Sequence, residues 1–212
     1  MSRTTATRMP EMMSADRADL DALLDQTVLG HVAFNDEDGS PVALPSVVAR
    51  WGDRILTHGS TGSRWLRRIA AGVPVAVSVA AIDGIVVARS AYESSLLYQS
   101  AVLFGSFVPL EGAEKLAALD VLTDRLLPGR TGEVRRPTGR ELAATVMLAL
   151  PIGQWSLRRS DGWPEDPASD VAGPAWAGHL RFGPPPVIPA SAPDLRPGIT
   201  LPPSAGQVRG VR

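Results

Sequence analysis

Cysteine is absent from all 212 residues. That excludes disulfides, thiolate catalysis and Cys-ligated zinc or iron–sulfur centres together. Lysine is nearly absent too: Lys115 is the single lysine among 21 basic residues, the others being arginine. We read this bias as genomic base composition rather than as a phosphate-binding surface. Charge of one sign is also missing in sum, since the formal net charge is -1, so nothing in the total attracts nucleic acid or an anionic membrane. No apolar run approaches the length of a membrane span, and no apolar segment comes after the N-terminal arginines as a secretory signal requires. A cytoplasmic protein is the expectation. With 44% apolar and 20% charged residues, the chain can fill an ordinary globular core.

Proline is sparse through the first two thirds and then concentrated, with twelve of the nineteen from Pro151 onward and three in succession at Pro184-Pro185-Pro186. Such a stretch supports neither helix nor central strand, so the compact domain should end near Arg159. The residues beyond it should form an extended arm or a disordered extension. A disordered tail is normally poor in Trp, and Trp163 and Trp176 lie in this arm. Docking through about Phe182 and disorder after Pro189 are therefore expected.

Within the compact part, Leu20, Leu23 and Leu24 share one face of a helix expected over Asp16 to Leu29, with Ser14 as its N-cap. Further helices are expected over Ser63 to Ala71 and Ala113 to Leu126. A capping box at Thr138-Gly139-Arg140-Glu141 marks a fourth. Strands are expected at 31–34, 41–51, 54–58, around Val73 to Val79, 85–88, 100–108 and 145–157. Asp83-Gly84 carries a two-residue hairpin signal. Six or so antiparallel strands with few helices imply a small closed barrel.

The stretch from Thr57 to Arg64 is the most informative. A strand ends, Gly59 and Gly62 with Ser60, Thr61 and Ser63 form a turn, and a helix begins. Unpaired N–H groups and the dipole at a helix start favour an anion, and Arg64 can bind phosphate in bidentate fashion. The plainer alternative is that Ser60 or Ser63 only caps the helix. Walker, nucleophile-elbow and Rossmann spacings are all absent. Arg67 and Arg68 read as a solvated face. His31, His58 and His179 show no metal-ligand spacing. His31 reads as an ordinary strand histidine, while His58 ends the strand that feeds the loop. The polar, aromatic run from Tyr92 to Ser100 reads as either a surface loop or a rim for a planar polar ligand.

Three segments, Ile55 to Arg64, Pro74 to Val79 and Tyr98 to Gly105, resemble in order and spacing the pyridoxamine 5'-phosphate oxidase-like flavin-binding proteins. The branch they are most similar to is the flavin-nucleotide-binding group that includes nitroimidazole-resistance proteins. The resemblance spans Ala18 to Leu157, and the Trp176-Ala177-Gly178 arm is also similar. It implies a mainly β fold, a six-stranded antiparallel split β-barrel that binds FMN as a homodimer with two flavin sites at the subunit interface. It implies that Ser60, Ser63 and Arg64 hold the FMN phosphate, that Thr57 and His58 lie along the ribityl chain or ring, and that Tyr98, Gln99 and Ser100 complete the site. The corresponding domain plan is a flexible N-terminus over 1–15, the barrel over 16–159, an arm over 160–189 docking on the dimer, and a disordered tail over 190–212. Pyridoxamine phosphate oxidases carry an Arg-Leu-x-Asp-Arg-like signature after the last strand. Here the region reads Trp155-Ser156-Leu157-Arg158-Arg159-Ser160-Asp161, which argues against pyridoxamine 5'-phosphate as substrate. The expectation is an FMN-dependent oxidoreductase acting on a small planar or nitroaromatic-like molecule, with His58 the catalytic candidate. The alternatives are a flavin- or haem-binding or sensing module without turnover, and a reductase using F420 on the same barrel.

Overall fold

The computed structural model describes Thr4, Ala6 and residues 8–208; expectations for 1–3, 5, 7 and 209–212 fall outside these. A two-residue strand β1 (Met13–Ser14) precedes helix α1 (Arg17–Gln26). Asp16, not Ser14, caps α1, its carboxylate accepting the Ala18 N–H at 2.8 Å. Ser14 is held in β1 by pairing with Leu157 and donates to Asp19 at 2.7 Å. The helix stops at Gln26, short of the expected Leu29, because Thr27 is extended and its hydroxyl turns back onto the Leu23 carbonyl.

The barrel strands come next: β2 (Leu29–Asn35), β3 (Pro41–Val47), β4 (Ala49–Trp51) and β5 (Arg54–Ser60). Helix α2 (Arg64–Ala70) leads into the long β6 (Pro74–Val87) and β7 (Ser95–Ser106), then β8 (Val108–Pro109) and helix α3 (Gly112–Leu126). Helix α4 (Gly139–Ala144), β9 (Thr145–Pro151) and β10 (Gln154–Ser160) complete it. The expected strands 41–51 and 145–157 each divide in two, and each half joins a different sheet. One sheet runs β1-β10-β7-β6-β2-β3, the other β4-β5-β9-β8, and every pairing is antiparallel. Counting β3–β4 and β9–β10 as two bent strands, the path β2, β3–β4, β5, β9–β10, β7, β6 returns to β2. The ring is a six-stranded split barrel.

Period-two alternation decides what each strand buries. Val75, Val77 and Val79 of β6 meet Leu103 of β7, Ile55 of β5 and Leu148 and Leu150 of β9 inside, with Leu20, Leu23 and Leu24 of α1 plugging one end. The opposite faces of β5 and β9 form a second core: Leu56, Met147 and Ala149 pack against Leu110 and against Ala118 and Leu122 of α3.

Asp83-Gly84 does not turn a hairpin. β6 runs straight through it, and Asp83 is an extra residue in a bulge between Ile82 and Gly84. The reason lies in the arm, which adds β11 (Gly178–Arg181) beside Gly84 to Val87 after a short helix α5 (Ala168–Val171). A Cβ on Gly84 would stand 2.3 Å from the Leu180 carbonyl oxygen, so glycine here admits the β11 backbone. The Arg89 guanidinium and N–H hold the Asp166 carboxylate, only 1% exposed, and Trp163 stacks on His179 at 4.0 Å. Beyond Pro189, in the segment expected to be disordered, Ser204 is buried and both its N–H and hydroxyl donate to Glu133, at 2.9 and 2.6 Å. Met13 and Ser14, within the segment expected to be flexible, are paired into the sheet through β10.

Candidate functional site

The loop from Gly59 to Arg64 joins β5 to α2. Its polypeptide is held from three sides. The Thr61 N–H and hydroxyl both donate to the Ala144 carbonyl. The Ser60 hydroxyl accepts the Gly62 N–H at 3.1 Å, while the Ser63 N–H bonds the Ser60 carbonyl. Arg67, expected to be a solvated bystander, reaches back one turn and donates to the carbonyls of Thr61 (3.3 Å) and Gly62 (3.0 Å). Arg68 is likewise not simply solvated, since its Nε is buried without a hydrogen bond. With Arg67 bonded to two of the loop carbonyls, the donors left over are the Ser63 hydroxyl, which caps nothing, and the first N–H groups of α2, which a helix leaves unpaired. The Arg64 guanidinium stands beside them, 74% exposed and bonded at 2.8 Å to Asp36 of the β2–β3 turn. Arg64 thus has donors to spare, although Asp36 competes with any anion for it.

The other residues singled out in the sequence divide between places. Thr57 points into the barrel, fully buried, where its hydroxyl donates to the Val47 carbonyl at 3.0 Å and shares a 2.8 Å hydrogen bond with Ser46. It staples β5 to β3. His58, one residue on, faces the opposite way by strand alternation. It lines a cleft of about 520 Å³ with Leu119 of α3, Val134, Arg135, Pro137, and Glu141, Leu142 and Thr145. The His58 Nδ1 is buried with no hydrogen-bond partner, and burial pushes the imidazole below its ordinary pKa, toward the neutral form.

Tyr98, Gln99 and Ser100 lie in the first half of β7. They lie toward the opposite end of the sheet from the loop, whose Arg64 is bonded to Asp36, just past the Phe34–Val75 pairing. On β6 the distance from Val75, paired with Gly105, to Ile82, paired with Tyr98, is an extended run of roughly 23 Å. Gln99 turns toward Asp83 and donates to its carboxylate at 3.2 Å. Ser100 instead lines a groove of about 380 Å³ on the outer face of the sheet, with His31, Ser78, Ala80 and Val102. The sequence marks His31 as nothing more than a strand histidine; its neighbours across the sheet, Ser78 and then Val102, emerge only from register. Among the described residues no group of three His, Asp or Glu side chains could hold a metal ion. Among them, too, no helix is long and apolar enough to cross a membrane.

A family model described as pyridoxamine 5'-phosphate oxidase matches residues 16–159. Among proteins of curated function none matches the chain. Two solved structures are similar over nearly the whole length. The FAD and haem binding protein from Mycobacterium smegmatis is 50% identical, with 94% of this chain and 98% of that one covered and a TM-score of 0.89. The flavocytochrome Anf3 from Azotobacter vinelandii is 30% identical, covering 99% and 97%, at a TM-score of 0.90. A 5-nitroimidazole antibiotic resistance protein from Bacteroides thetaiotaomicron, 16% identical over 68% of this chain and 84% of its own with a TM-score of 0.57, shares the fold. The match over the whole barrel, from the Asp16 cap to Arg159, together with the closed six-strand ring, shows that the chain belongs to the pyridoxamine 5'-phosphate oxidase family.

Proposed function

We propose that this protein is a homodimeric flavoprotein that also takes haem and carries electrons between the two groups. The observation that carries the reading is the division of the flavin candidates: the anion-competent loop ends in Arg64, bonded to Asp36 just past the Phe34–Val75 end of the sheet, and Tyr98 lies toward the other end, paired with Ile82, a run of roughly 23 Å along β6 from Val75. A two-fold partner, laid across the outer sheet face of Ala33, Ala76, Ser78, Ala80 and Val102, would bring one protomer's loop to the other's Tyr98 and Ser100. The same face is partly exposed in the single chain, as are Trp176, Leu180 and Phe182 of the arm.

The residues fit a flavin nucleotide. The Ser63 hydroxyl, the first N–H groups of α2 and the Arg64 guanidinium would hold phosphate, and the small side chains of the sheet groove leave a flat apolar bed for a ring. Between FMN, F420 and FAD we favour FAD, because the 50% identical relative is an FAD and haem binding protein. The same relative and the flavocytochrome support haem. Bound flavin supplies hydride or single-electron transfer and bound haem single-electron transfer, so no acid–base residue is required of the chain. Its own part is to hold the groups, exclude water and keep His58 neutral. Pyridoxamine 5'-phosphate is disfavoured as substrate: where a phosphate grip would lie, Arg158 is turned to the Met12 sulfur and Arg159 is bonded to Asp19 and Asp161. The electron partner is expected to be a small planar molecule suited to the groove, or a redox protein.

The test is the purified protein. Its absorbance spectrum and the mass of extracted cofactors should give a flavin of FAD mass and haem. Addition of NAD(P)H should bleach the flavin. A protein that stays colourless after incubation with FAD, FMN and haem would overturn the reading.

A further inference from the structure

Resting on the haem half of that reading, we propose that His58 would ligate the haem iron and that haem would lie in the cleft between α3, α4 and the β5–β9 pair. The chain has three histidines, and their surroundings differ. His179 is committed: its ring stacks on Trp163, its Nε2 meets the Gly162 carbonyl at 3.1 Å, and its Nδ1 is approached by Arg181. His31 is exposed on the outer sheet face, in a groove of about 380 Å³ that one chain leaves open. His58 alone of the three has a buried ring nitrogen without a hydrogen-bond partner. A nitrogen so enclosed is out of an iron's reach, so the ligating atom would be Nε2 of the ring that lines the cleft.

The cleft itself suits the rest of a haem. Its volume of about 520 Å³ lies within the range of about 300–1,000 Å³ usual for small-molecule sites. Leu119, Val134, Pro137 and Leu142 give it apolar walls, and Arg135 stands among the lining residues. The Arg135 guanidinium is 69% exposed and reaches Glu141 through two hydrogen bonds of 2.8 and 2.7 Å. A guanidinium so placed can pair with carboxylate, and a propionate would take the role Glu141 plays here. His58 is also the residue directly before Gly59 of the phosphate loop, so this placement sets the two redox groups on adjoining stretches of β5.

Haem titration of His58→Ala, His31→Ala and the parent tests this, read by the Soret band, the haem-to-protein ratio and low-temperature electron paramagnetic resonance, with bound flavin and circular dichroism as controls. His58→Ala should lose more affinity than the roughly 10- to 100-fold lost when only a supporting group of a metal site is removed. It should keep its flavin, and added imidazole should restore the parent signal. His31→Ala should keep the parent haem spectrum. Leu142→Trp, which fills the cleft and leaves His58 in place, should also exclude haem, so the site is tested even if His58→Ala folds poorly. An unchanged Soret band and resonance spectrum in His58→Ala, or full haem loading of Leu142→Trp, would overturn the assignment while leaving the haem reading intact. A parent that takes no haem would overturn both.

Discussion

Two residues next to each other on β5 show how little a side chain's type says about its role until its face is known. The family resemblance puts Thr57 and His58 together along a flavin, yet strand alternation sends the threonine into the core and the histidine to the cleft. Thr57→Val should therefore act on stability, costing about 1–3 kcal/mol for a lost buried hydrogen bond. It should leave flavin affinity unchanged; denaturant melting beside a flavin titration checks both. In the haem-free protein His58 predicts a pH dependence. Its folded pKa is depressed below the free value, so its contribution to stability is complete above about 6.5 and is lost as pH falls through the lower folded value. His58→Gln should flatten that part of a stability-against-pH curve. Arg64 is the residue to test at the loop. A charged hydrogen bond of about 1.5–3 kcal/mol corresponds to roughly 10- to 150-fold in flavin affinity. Arg64→Ala should lose that much, Arg64→Lys part of it because the fork is gone, and riboflavin, lacking the phosphate, should bind parent and variant alike. Equal affinity of parent and Arg64→Ala for the nucleotide would place the phosphate elsewhere.

Among the elements, α4 is the clearest case of sequence becoming structure. Thr138 accepts the Glu141 N–H and Glu141 accepts the Thr138 N–H, the full capping box. Arg135 and these bonds hold the Glu141 carboxyl down at about 2. A depressed carboxyl stabilises above its free pKa of about 4.3 and loses that effect as pH falls toward 2. α4 and the cleft it walls should loosen in that window, and Glu141→Gln should make the loosening independent of pH there; hydrogen exchange at 139–145 is the measurement. That box is legible because every group in it lies within four residues. So is the leucine face of α1, since helical period is a local property. The Asp83-Gly84 bulge is illegible because its cause, β11, lies about a hundred residues on. The split of 41–51 at Val48 depends in the same way on which sheet each half joins. Arg67 escapes a helical wheel because its long side chain reaches back to carbonyls five and six residues earlier, which the wheel does not display. Ser204 gives no signal at all: its hold on Glu133, next to the Val134 and Arg135 of the cleft, is a contact across 71 residues. Ser204→Ala should make the cleft loop more accessible to protease while the barrel stays intact.

At the scale of the molecule, the outer sheet face and the arm are where the proposed two-fold partner would sit. Light scattering should return twice the 22.4 kDa chain mass, and a flavin-loaded monomer at micromolar concentration would defeat the shared site. Limited proteolysis should spare the arm through Phe182, which β11, the Arg89–Asp166 pair and the Trp163–His179 stack tie to the barrel. Early cleavage near Trp163 would show that these ties do not hold in solution.

The two bent strands have a consequence for how the chain reaches this state. The ring closes only when β5 meets β9 and β7 meets β10, and β5 waits for a strand some ninety residues downstream. Pairings so distant in sequence are slow to form, because the intervening chain must first give up its freedom. Until residues 145–160 arrive, β5 and β7 each present an open hydrogen-bonding edge, the kind of edge that recruits other chains. A nascent chain released before β9 should aggregate rather than fold, and the sequence up to α3, despite holding most of the core, should behave as a template for association until its last two strands seal it.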